Sequence, residues 1–249
     1  MLLILAAAFV LLVLLIGGDR TAKSLVTLAG NALLLAGTLL AVYMGFNPLI
    51  CVILSCALIT LLTLFYQNGV NQKTKAAFWA VMAVIALLMG LLCFLGAVTN
   101  TQGFPVGQYE VRASNGYAGD IGINMRLLQI STLLMVLIGA VIDTALAVTS
   151  ALYEVHQNNR RLAGRELFAS GIAVGKDILG STINTLFFIF MAEYITLFIQ
   201  FMEYFTFAQM INSKEFVQEV LSVAVSGIGC VLIIPLAAGL GAAVYRKKS

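Results

Sequence analysis

Long apolar runs alternate with short polar breaks along the whole chain. Seven runs, at 2–17, 24–44, 47–66, 77–98, 127–152, 178–202 and 217–244, approach or exceed the roughly 20 residues that a membrane-crossing helix needs. Most breaks are short: 18–23, the tight turn Gly45-Phe46-Asn47-Pro48, and 67–75. Two are longer. Residues 99–126 form a Gly-rich polar loop, and 153–176 form a charged stretch punctuated by Leu162, Phe168 and Ile172. That spacing predicts an amphipathic connector lying on the inner membrane surface. The pattern as a whole predicts an all-α, polytopic transmembrane helical bundle of about seven spans, forming one integral membrane domain over residues 1–249. The first run is short, and a six-span bundle with that run as a loosely attached helix is the alternative.

Composition narrows the class. Hydrophobic residues make up 61% of the 249, charged residues only 10%, and the mean hydropathy is +1.02. A water-soluble domain carries roughly a quarter charged residues, so a soluble enzyme, a disordered scaffold and a nucleic-acid binder are excluded, and the lipid bilayer is the expected surroundings. A net charge of +3 is too small for a nucleic-acid footprint. Alternating the sides of the seven runs puts eleven basic residues on one face, among them Lys23, Lys73, Lys75, Arg160, Arg161, Arg165 and Lys247, against Arg112, Arg126 and Lys214 on the other. That bias predicts the N-terminus outside and the C-terminus inside. The first run has no basic residue before it and no small-residue cleavage site after it, so it is read as a retained span rather than a signal peptide.

In the outer loop, Pro105 and Asn115-Gly116 are turn formers that could frame a small hairpin at 109–113. Cys51, Cys56, Cys93 and Cys230 sit singly in apolar runs, and His156 is the one histidine. No metal site or cofactor is expected from that set. His156 is read as an interfacial residue. Pro235, with Gly227, Gly229, Gly239 and Gly241, predicts a kinked, close-packed last span.

The informative exceptions are carboxylates inside apolar runs, each costing roughly 2.5–3.5 kcal/mol at a helix centre on insertion scales. Asp143 lies near the middle of the fifth span, on one helical face with Gly139, Ala147, Ser150 and Glu154. Small residues there, Gly139 and Ser150 among them, would let another helix approach. The sixth span carries Asp177, Ser181 and Asn184 on one face beside Gly180, and Glu193 some 16 residues further on, on a different face. Pairing the stripe of the sixth span with the Asp143 face would satisfy both. The result would be either a proton or ion relay, with Asp143, Asp177, Ser181, Asn184 and Glu193 as candidates, or a structural hydrogen-bond network.

Gly139-x-x-x-Asp143-x-Ala145, Ser150-Ala151-Leu152-Tyr153-Glu154-Val155 and the run Gly175-Lys176-Asp177-Ile178-Leu179-Gly180-Ser181-Thr182-Ile183-Asn184-Thr185-Leu186 resemble the bacterial YibE/F-like membrane family. Lys176 stands where that motif usually carries Arg. The resemblance implies a multi-pass, permease-like protein of the bacterial plasma membrane. It also implies a split system, with this chain the YibF-type half and a YibE-like membrane subunit supplying an extracytoplasmic domain; a homo-oligomer is a further expectation. The order of a mid-span acid, an inner connector and a Ser/Thr/Asn-rich span is also similar, more distantly, to proton-driven SecD/SecF and resistance-nodulation-division proteins. Two readings follow: a permease or membrane subunit of a transport complex, proton-coupled through Asp143, and a non-transporting accessory protein that anchors its partner. An enzyme is not expected, since no metal-ligand pair, Gly-x-Ser-x-Gly elbow or His-rich face occurs.

Overall fold

A computed structural model describes residues 1–98, 122–160 and 162–246. Among them every regular element is a helix: α1 (Leu2–Tyr43), α2 (Pro48–Leu61) running on into a π-helical turn (Leu62–Gln67), α3 (Gln72–Val98), α4 (Met125–Asn158), α5 (Gly164–Tyr204), the short α6 (Phe207–Ile211) and α7 (Lys214–Arg246).

Local chemistry starts and stops these helices. Gly18, at φ 55°, kinks α1, a backbone setting that an L side chain resists. Gly45, at φ 91°, turns the chain from α1 into α2, and the Asn47 side chain accepts from the Leu49 amide at 3.0 Å with Pro48 at the first helical position. At the other end of α2, Asn71 and Thr74 cap α3 reciprocally, each backbone amide donating to the other's side-chain oxygen at 3.0 Å. Asn124 opens α4 by accepting from the amides of Arg126 and Leu127. Pro235 sits inside α7 without ending it.

Among the described residues six helices are long and apolar enough to cross a membrane; Leu3–Gly18 is a shorter apolar helix before the kink, and the first of the six is Thr21–Tyr43. The seven-run reading therefore differs at its first run, which is exposed almost throughout. The connector at 153–176 is not a separate surface helix. Residues 153–158 are the last turns of α4, residues 164–176 the first turns of α5, and the turn between them is short. Apolar packing on both sides extends the two spans through the charged stretch. The proposed hairpin, with Pro105, Asn115 and Gly116, lies outside the described residues.

α4 is the central helix. It packs against α7, α3, α5 and α2, and Leu134, Leu137 and Val141 on it are fully buried with Leu88 of α3 and Ile233 of α7. Glycines allow the close approaches. A Cβ on Gly175 would meet Ile234 at 2.3 Å, and one on Gly171 would meet Ala238 at 2.8 Å and Leu152 at 2.9 Å. These contacts draw the first half of α5 against α7 and α4 and fix its rotation. Helix association in lipid rests on such van der Waals contact, because lipid tails are as apolar as the side chains they replace.

Candidate functional site

Polar groups in the bundle fall into two sets: neutral ones on the helix interfaces, many of them answered by the chain itself, and charged ones on the outer faces. The first set lines the helix interfaces. Between α1 and α2, Asn31 Nδ2 donates to Thr63 Oγ1 at 3.2 Å, Thr38 and Ser55 share a short hydrogen bond, and Gln67 Nε2 donates to Ser24 Oγ at 2.8 Å. Thr60 bonds back to the Cys56 carbonyl within its own helix. This seam was not singled out from the sequence. Thr27, Asn31 and Thr38, at helical spacing inside an apolar run, were the signal for it.

At the end of the bundle that carries Lys23, Lys73, Lys75 and Arg165, hereafter the basic end, Tyr245 is fully buried and donates to the Thr149 carbonyl at 2.9 Å. Tyr153 meets it edge-on and His156 stacks on it at 6.0 Å. His156 Nδ1 is buried without a hydrogen-bond partner. Deeper in the core, Thr144 donates to the Ala140 carbonyl at 2.8 Å and approaches Cys230 Sγ at 3.9 Å, with Ser226 buried one turn away on α7. Among the described residues no group of three His, Cys, Asp or Glu side chains could hold a metal ion.

The second set carries the charges. Asp143 lies on the outward side of α4, exposed and with no hydrogen bond or ion pair among the described residues. Its stripe consists of Thr132, Val136, Gly139, Asp143 and Glu154, all exposed, with Ala147 and Ser150 half-buried. Leu152, which meets Gly171 of α5 and Gly241 of α7, lies two residues from both Ser150 and Glu154, about 200° around the helix. The stripe therefore points away from α5. A Cβ at Gly139 would meet nothing within 4 Å.

On α5 the contact face is Leu167, Gly171 and Gly175, all buried. Asp177, Ser181 and Asn184 lie opposite it and are exposed. Ser181 bonds to the Ile178 carbonyl at 2.9 Å, whereas Asp177 and Asn184 have no partner among the described residues. Gly180 is also exposed with open space at its Cβ position. Glu193 is exposed near the far end of α5, where its neighbour Tyr194 hydrogen-bonds Glu219 of α7.

The structure thus does not bring the Asp143 face and the stripe of α5 together. Each points away from the other helix, because the close glycine contacts rotate α5 so that its small residues face the core. Elsewhere the outer surface is large and apolar: Leu54 and Leu58 on α2, Leu87 and Phe94 on α3, Phe187 and Phe188 on α5, Ile228 and Val231 on α7. On α4 only Val136 is of that kind. Small and polar residues on an outer membrane face are the composition of a helix–helix contact rather than of a lipid contact.

A family model described as YibE/F-like protein matches residues 5–247, and the chain belongs to that family. No curated protein and no solved structure matches it.

Proposed function

We propose that this YibE/F-like chain is the membrane subunit of a permease-type assembly, and that Asp143 works at a boundary between subunits rather than inside one. The outward, unpartnered position of Asp143 at the middle of the central helix supports this reading. A carboxylate there raises the cost of insertion by roughly 2.5–3.5 kcal/mol, and among the described residues no hydrogen bond or ion pair offsets it. A residue with that cost and no packing role serves something outside the fold. A carboxyl group in low dielectric that meets a neighbouring subunit is suited to taking up and releasing a proton.

In this reading the basic end faces the cytoplasm by the positive-inside bias, and the membrane is the bacterial plasma membrane. A companion with an extracytoplasmic domain, implied by the family resemblance, belongs to the same assembly.

The test is proton flux in liposomes containing the assembly purified in mild detergent. Asp143→Asn is expected to abolish flux while abundance and elution volume stay as in the wild type. Full flux from the Asp143→Asn variant would sink the proton role. If the wild type shows no flux and Asp143→Asn loses the companion on purification, the chain is a non-transporting anchor.

A further inference from the structure

The helices α1 to α3 carry their charge differently from the rest of the chain. From Arg20 to Tyr109 the sequence holds no Asp or Glu, while Arg20, Lys23, Lys73 and Lys75 all fall at the basic end. Asp19 offsets one of these four cations. At the same end, the junction of α4 and α5 mixes Arg160, Arg165 and Lys176 with Glu154, Glu166 and Asp177. The positive-inside bias accounts for cations at this end, but not for the lack of acids on one side of it.

A groove opens beside the unbalanced cations. It runs between α1 and α2, has a volume of about 370 Å³, and is lined by Leu34, Leu58, Leu61, Leu62, Phe65 and Tyr66. Gly30 lets Leu62 in against α1, since a Cβ there would meet Leu62 Cδ2 at 2.6 Å. Leu62, Phe65 and Tyr66 belong to the π-helical turn, a rare geometry that recurs at functional sites. Asn68 Nδ2 donates to the Thr63 carbonyl at 2.9 Å and closes that turn.

The groove leads to the lysines. The hydrogen bonds Asn31–Thr63 and Ser24–Gln67 run α1 and α2 antiparallel and bring Tyr66 about level with Ser24. Lys23 precedes Leu34 by eleven residues, which is three turns and ~16 Å, so it shares the Leu34 face toward the basic end. No other charged residue lies between 21 and 43. On the other flank, Phe65 packs on Phe78 of α3 at 5.5 Å, and Phe78 meets Trp79 at 5.6 Å. Lys75 lies one turn before both and is exposed, as Trp79 is. Thr74 Oγ1 donates to the Gly69 carbonyl at 2.9 Å, which holds this end of α3 close to the end of α2. Tyr66 is exposed, and neither its hydroxyl nor the ammonium groups of Lys23 and Lys75 have a partner among the described residues.

We propose that this corner of the bundle binds an anionic phospholipid. The phosphate sits between Lys23 and Lys75, within reach of the Tyr66 hydroxyl, and one acyl chain lies in the groove along Leu62, Leu58 and Leu34. Such a lipid fits because the cations and the groove lie end to end. An apolar helix of another protein would fill the groove and leave the lysines unanswered, and a zwitterionic lipid brings a cation of its own to them. The site is separate from Asp143 and stands or falls independently of the proton role.

The chain carries its own reporter, because Trp79 is its one tryptophan and stands one turn from Lys75. The purified full chain is reconstituted in phosphatidylcholine bilayers with a minor share of brominated phosphatidylglycerol or, in parallel, brominated phosphatidylcholine. Bromine quenches tryptophan on contact, so stronger quenching by the anionic lipid is expected. Lys23→Gln together with Lys75→Gln should remove that excess, the apparent affinity falling about fivefold for each lysine. Lys23→Arg together with Lys75→Arg should keep it, which a folding defect would not do. Arg165→Gln removes a cation from the same end but outside the site, and should also keep it. Unbrominated phosphatidylglycerol should compete the excess away, whereas glycerol phosphate, which has no chain for the groove, should not.

Equal quenching by the two lipids overturns the proposal. So does an excess that survives the double Gln variant, or one that glycerol phosphate displaces. Absence of quenching by either lipid would mean that protein covers the groove, and overturns it as well.

Discussion

The seam between α1 and α2 and the outward stripes of α4 and α5 are both polar in a setting that disfavours polarity, and they solve the problem differently. In the seam the groups are neutral amides and hydroxyls, and several answer one another across the interface, as Asn31 Nδ2 does with Thr63 and Gln67 with Ser24, although Asn31 Oδ1 is buried without a partner. On the stripes the groups include Asp143, Glu154 and Asp177, and none finds a hydrogen-bond or ion-pair partner among the described residues. Neutral groups are cheap to bury once hydrogen-bonded, and an interhelical bond in a membrane is worth about 0.6 kcal/mol on average. Charged groups are costly to leave in lipid. In the function proposed above, the charged groups left open on the outer faces are the ones that another molecule would answer.

The comparison can be broken most forcefully at Asp143. Asp143→Leu should favour insertion of the α4 segment by about 2.5–3.5 kcal/mol, read as the inserted fraction in a glycosylation-mapping assay, while function is lost. If function survives, the open stripe is incidental. Next is Gly175→Leu, which places side-chain atoms against Ile234 where a Cβ alone would be at 2.3 Å. Overpacking of that kind costs about 1–3 kcal/mol, so the melting temperature of the detergent-solubilised protein should fall markedly. An unchanged melt would mean that α5 is not held where the glycines put it.

Tyr245→Phe removes the hydrogen bond to the Thr149 carbonyl and leaves the ring contacts in place. It should destabilise by about 1 kcal/mol, seen as a small drop in the same melt. The smallest effect belongs to the seam. Asn31→Leu removes one bond to Thr63 and should cost only about 0.6 kcal/mol, with normal abundance and activity. A large loss of activity from that variant would move the seam from structure to function and collapse the contrast.

The spans were legible because membrane helices announce themselves locally: an apolar run of sufficient length has nowhere else to go, and its backbone satisfies itself within the helix. Asp143, Asp177 and Asn184 were legible as exceptions for the same reason. The first run differs because 16 apolar residues beside a glycine at positive φ form a helix too short to count as a crossing by itself. The connector at 153–176 misled because its charges resemble a surface helix, whereas Leu167 and Gly171 inside it are core positions.

By itself, then, the sequence determined the class of protein, the helices, the family resemblance and which residues are out of place in lipid. Only the tertiary structure decided which way those residues point. α5 carries apolar residues on most sides as well as its polar stripe, and in a membrane the stripe could face either a neighbouring helix or the outside, so its own pattern does not set its rotation. That rotation is set by Gly171 and Gly175 meeting Ala238, Leu152 and Ile234, contacts between residues far apart in the chain. They turn Asp177, Ser181 and Asn184 outward, and the packing of α4 against α7 and α3 turns Asp143 outward on the opposite side. Helix formation is a local property, but helix rotation is a property of neighbours.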